Sequence, residues 1–123
     1  MSETITIIDM EWGARLLIED GAVLDDESIR TKIKSLLDRL RKNNKKRILI
    51  DATNNISYKS VMNLYYEAEQ FQKIGGFGFR VAVFAPHRFN TDNTNFFETL
   101  GYNRGFTVKY FKDNDEALKW LLL

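Results

Sequence analysis

Ile5 and Ile7 alternate with Thr4 and Thr6 near the start of the chain, and a period of two predicts a short strand with one buried face. Asp9 to Gly13 supplies a turn, and Ala14 to Glu19 (ARLLIE) reads as a second strand, so the two predict a hairpin that Asp20-Gly21 ends. The period then changes. Ile29, Ile33, Leu36, Leu37 and Leu40 fall at spacings of four, three, one and three, which is one stripe of an amphipathic helix, with Asp25 or Asp26 placed to cap its start. RILIDA (47–52) is a nearly unbroken run rich in branched residues, the pattern of a central strand buried on both faces.

Val61, Leu64, Tyr65, Ala68, Phe71 and Gln72 recur at helical spacing, predicting a helix from about Ser57 to Ile74. FRVAVFA (79–85) predicts another central strand, Thr91 to Leu100 a short helix, and TVKYF (107–111) a last strand. In the closing DNDEALKWLLL, Asp113 and Glu116 have the spacing of a capping box. The order is β-β-α-β-α-β-α-β-α. Strands alternating with helices imply parallel strands joined by right-handed crossovers. The expectation is therefore one α/β domain over residues 1–123, with a mixed, mostly parallel sheet.

Composition narrows the chemistry. With 123 residues the chain has enough material for one buried core. It has no cysteine, which removes disulfides, thiol nucleophiles and thiolate metal sites. Its longest apolar run, Val81 to Pro86, falls far short of the roughly 20 residues of a membrane helix, and MSETITIIDM lacks the basic and apolar regions of a signal peptide. A cytoplasmic protein without membrane insertion is expected.

Net charge is only +1, yet Arg30 to Arg47 holds nine basic residues against Asp38 alone, leaving that segment at +8 and the rest at −7. Such a segment could attract nucleic acid or an anionic lipid surface. It contains no aromatic residue for base stacking, so nucleic acid is not the expected partner. A solvated helix face, balanced by Asp25, Asp26 and Glu27, is the preferred reading.

RILIDATN (47–54), GFGFRVAVFAP (76–86) and YFKDNDEALKWL (110–121) carry a family resemblance. In this order of elements the chain resembles the STAS fold of bacterial anti-sigma-factor antagonists. It is most similar to the broader SpoIIAA-like group, which includes domains related to CRAL-TRIO lipid-binding proteins. The resemblance implies a sheet wound as a βα superhelix and used for protein–protein regulation or apolar-ligand binding. It further implies a phosphorylated Ser at the start of the helix after the third strand, within D-S-S-G-L or a close variant. Here that region reads ISYKSVM (56–62), where Ser57 and Ser60 lie near the expected place but outside the motif.

Ligands of an open parallel sheet collect beyond the carboxyl ends of its strands. Asp51, Thr53 and Asn54 follow one central strand, and His87 and Arg88 the next. If those strands are neighbours, the five ring a crevice, with Thr53, Ser57 and Ser60 as an anion or phospho-acceptor site at a helix start. The competing reading is a turn at Asn54-Asn55, a cap at Ser57 or Ser60, and an Asp51 satisfied by backbone donors; it is preferred.

Catalysis would have to use His87, the sole histidine. Asp51, His87 and Ser57 or Ser60 can be drawn as a triad, but no nucleophile-elbow motif accompanies them, so no catalytic residue, metal ligand or cofactor is assigned. IGGFGF (74–79) follows a helix and opens a strand, the reverse of a phosphate loop, and Gly75 or Gly76 is better read as a helix C-cap. Tyr58, Met62 and Tyr66 are spaced by four beside the core stripe, and Phe96 and Phe97 are adjacent and cannot point the same way. These five form a candidate surface for a protein partner or a second copy of the chain, or the mouth of a pocket for a small apolar ligand. A non-catalytic regulatory or interaction domain is the first expectation. An apolar-ligand carrier is the second, and an enzyme a distant third.

Overall fold

A computed structural model describes residues 5–19, 27–54, 69–86 and 105–123. Strands β1 (Ile5–Met10) and β2 (Gly13–Ile18) form the predicted hairpin, with Glu11 and Trp12 between them. Helix α1 (Glu27–Lys42) leads to β3 (Arg47–Asp51). A helical turn at 69–73 precedes β4 (Arg80–Phe84), which is followed by β5 (Thr107–Phe111) and the C-terminal helix α2 (Asn114–Leu121). The expected cap at Asp25 or Asp26, the first turns of the 57–74 helix and the 91–100 helix lie outside the described residues.

The five strands lie in sequence order. β1 pairs antiparallel with β2, and every later pair is parallel. A right-handed crossover between parallel neighbours fixes the face its helix covers. Accordingly all five stripe residues of α1 are buried, in one cluster with Ala14, Leu16, Ile48, Val81 and Val83. α2 lies on the opposite face, where Ala117 and Leu121 pack on Leu49 and Ala82. The alternation along β3 and β4 therefore separates two cores.

Local chemistry sets the boundaries. Asn44 ends α1 with φ 56°, while its N–H donates to Arg41 O (3.1 Å) and the Lys45 N–H donates to Leu40 O (2.9 Å). That is a Schellman closure, with asparagine in the place glycine usually takes. Gly75 does the same for the helix ending at 73, with φ 103° and the Gly76 N–H on Phe71 O at 2.9 Å. At the start of α2, Asp113 Oδ1 accepts from the N–H groups of Asp115 (2.8 Å) and Glu116 (3.1 Å). Gly13 opens β2 where a Cβ would stand 1.8 Å from the Arg47 carbonyl oxygen, so the β2–β3 pairing tolerates no side chain there.

Candidate functional site

Asp51 is the last residue of β3 and points to the α2 side of the sheet, two positions beyond Leu49. Its cross-strand partners are Leu17 and Phe84. A carboxylate among such neighbours costs free energy unless both oxygens are engaged, and they are. Arg15 pairs with Leu49 across the ladder, so it stands diagonally from Asp51 within reach of a long side chain. Its Nη2 donates to Asp51 Oδ2 at 2.6 Å. The chain then turns at Thr53, whose N–H (3.0 Å) and hydroxyl (2.6 Å) both donate to Oδ1, an Asx-turn that ends the strand.

Burial pushes the Asp51 carboxyl up. The Thr53 hydroxyl and N–H and the Arg15 guanidinium together outweigh it, and the group is held below the usual aspartate range. Asp51 is therefore an anion at neutral pH with its proton-accepting atoms occupied. Three hydrogen bonds brace the carboxylate, while the other members of the Asp51–His87–Ser arrangement lie outside the described residues. Among the described residues, no three His, Cys, Asp or Glu side chains are grouped to hold a metal ion.

β3 and β4 are adjacent, so the condition for a shared crevice at their carboxyl ends is met. The backbone ladder continues past both strands, with the Ala52 N–H on Phe84 O at 2.8 Å and the Ala85 N–H on Phe111 O at 2.9 Å. Asn54 leans away from Asp51, its Nδ2 lying 3.4 Å from Glu19 Oε1. Thus Asp51 and Thr53 come together and Asn54 joins the end of β2 instead. Ser57, Ser60, His87 and Arg88 lie outside the described residues, as do Tyr58, Met62, Tyr66, Phe96 and Phe97. Arg15 is the residue sequence reasoning missed. It sits 36 positions before Asp51, and only the β2–β3 register brings it near.

The basic segment is partly absorbed by the fold. Lys34 pairs with Asp38 at 3.5 Å and Arg39 with Asp9 at 2.8 Å. Lys32 donates to Ile5 O at 3.0 Å. Arg41 donates to the carbonyls of Gly75 and Phe77 and lies 5.0 Å from the Phe79 ring centroid. For Arg39 the balancing charge comes from the far end of β1, and the expected balance from Asp25 and Asp26 lies outside the described residues.

No protein-family model matches the chain, and no curated protein matches it. Among solved structures it is similar to an uncharacterized protein of the DUF3478 family from Shewanella loihica PV-4, described as having a SpoIIAA-like fold. The TM-score is 0.60 at 19% identity, over 98% of each chain. No helix among the described residues is long and apolar enough to cross a membrane. The sheet order, the crossovers and this likeness together establish a SpoIIAA-like α/β fold.

Proposed function

We propose that the chain is a non-catalytic regulatory domain of STAS-like type that acts by binding a protein partner. The observation carrying this reading is the engagement of Asp51. The one buried carboxylate at the ligand-facing end of the described sheet is held by Arg15 and Thr53, which suits a brace of the strand end better than an acid or base presented to a substrate. A rigid, internally satisfied sheet end suits a surface that presents side chains rather than one that transforms a substrate. Tyr58, Met62 and Tyr66, with Phe96 or Phe97, are the contact we propose, and a second copy of the chain is the partner to test first.

Sedimentation velocity over a range of protein concentrations, comparing the native chain with a Met62→Asp, Tyr66→Asp double variant, tests this. Self-association that disappears in the variant, with an unchanged melting temperature, is the expected result. Association unaffected by the two aspartates counts against this surface. A native mass spectrum of a monomer carrying a lipid-sized adduct would favour the apolar-ligand carrier instead.

A further inference from the structure

The end of the sheet opposite Asp51 gathers four cations, two of them held by the fold and two without an acidic partner among the described residues. Here the amino ends of β3 and β4 and the β1–β2 turn border an open cleft of about 470 Å³, whose lining includes Lys45, Lys46, Arg47, Arg80, Trp12 and Glu11. Four cations face one carboxylate, so the lining carries a net charge of +3. Two of the four are held in place. Arg80 donates to Trp120 O through Nε (3.2 Å) and Nη2 (2.6 Å) and stacks 3.8 Å from the Trp120 ring centroid. Arg47 donates to Leu123 O at 3.2 Å.

These contacts explain why Arg47 and Arg80 stand where they do, beside the carbonyl end of α2. They do not explain Lys45 and Lys46. Both follow the left-handed Asn44 and line the cleft, and among the described residues neither has an acidic partner. Fixed guanidinium groups beside free ammonium groups, in one concave place, are the chemistry that recognises a dianionic oxyanion. The volume exceeds what a bare ion fills, and the Trp12 indole offers an apolar wall to whatever carries the anion.

We propose that this cleft binds a phosphate group borne on a larger molecule, either a free phosphorylated metabolite or a lipid headgroup. A single cluster at one end of the molecule suits one such group better than the repeating phosphates of a nucleic acid, which call for a basic stripe. This site is independent of the partner surface proposed above.

Trp12 lines the cleft and Trp120 stacks on its Arg80, so tryptophan emission is a probe of its occupancy. The full chain is titrated in parallel with inorganic pyrophosphate, with phosphatidylcholine vesicles containing phosphatidic acid, and with plain phosphatidylcholine vesicles. Saturable binding below about 1 mM to pyrophosphate identifies a free anion, and binding to the acidic vesicles alone identifies a headgroup. In either case a Lys45→Gln, Lys46→Gln double variant should bind about tenfold more weakly, whereas Lys34→Gln should bind like the native chain. No saturable response to either probe overturns the proposal. So does affinity unchanged in the double variant, or tighter binding to duplex DNA than to pyrophosphate.

Discussion

Arg15 and Asp51 show what one pair contributes at the residue scale. Their side chains keep 28% and 11% of their exposure, so the pair is neither dry nor freely solvated. Removing one partner of a fully buried pair costs about 3–5 kcal/mol, and partial access to water reduces that here. Arg15→Ala is expected to lower stability by about 2 kcal/mol, measured by urea denaturation at neutral pH. The pH dependence has a definite sign. Because folding depresses the Asp51 pKa, its contribution is complete above the unfolded value of about 3.9 and is lost as pH falls through the folded value. The stability gap between the native chain and Asp51→Asn should therefore be constant near neutrality and narrow below about pH 4. A gap that widened on acidification would mean the carboxyl is protonated in the native state.

At the scale of elements, the β2–β3 ladder is the vulnerable junction, since Gly13 meets the Arg47 carbonyl with no room for a methyl group. Gly13→Ala should cost about 3 kcal/mol, and thermal unfolding would reveal it as a lowered midpoint. An unchanged midpoint would mean that the first β2–β3 pairing can part without consequence. Most element positions were legible in the sequence because each rests on a local pattern. Every residue of the α1 stripe is buried, and β5 has the bounds that TVKYF predicts. A cap at Gly75 or Gly76 was legible because only a few residues accept a left-handed backbone, and Gly75 is the one that adopts it. The less legible features depend on register or on a subtler turn. Arg15 belongs to Asp51 only because β2 and β3 pair Leu17 with Asp51. Likewise, Lys45 and Lys46 leave the helix only because Asn44 adopts the conformation usually left to glycine.

Across the whole molecule, the sheet has two unlike ends. The carboxyl ends of β3 and β4 hold an anion already neutralised from within, and their amino ends hold cations facing a cleft. The strand order makes this division: parallel β2 to β5 put all their starts at one end and all their finishes at the other. Of the crevice predicted at the finishes, the described residues bring together Asp51 and Thr53 and tie them to Arg15. Asp51 is therefore the residue on which the proposed non-catalytic role turns. Its carboxyl can be followed directly by carbon-detected NMR through an acid titration of the native chain. A pKa below about 3.9 that rises toward it in Arg15→Gln and in Thr53→Val is the expected result. A carboxyl titrating above that value, or one indifferent to both substitutions, would contradict the brace and return Asp51 to the list of groups free to do chemistry.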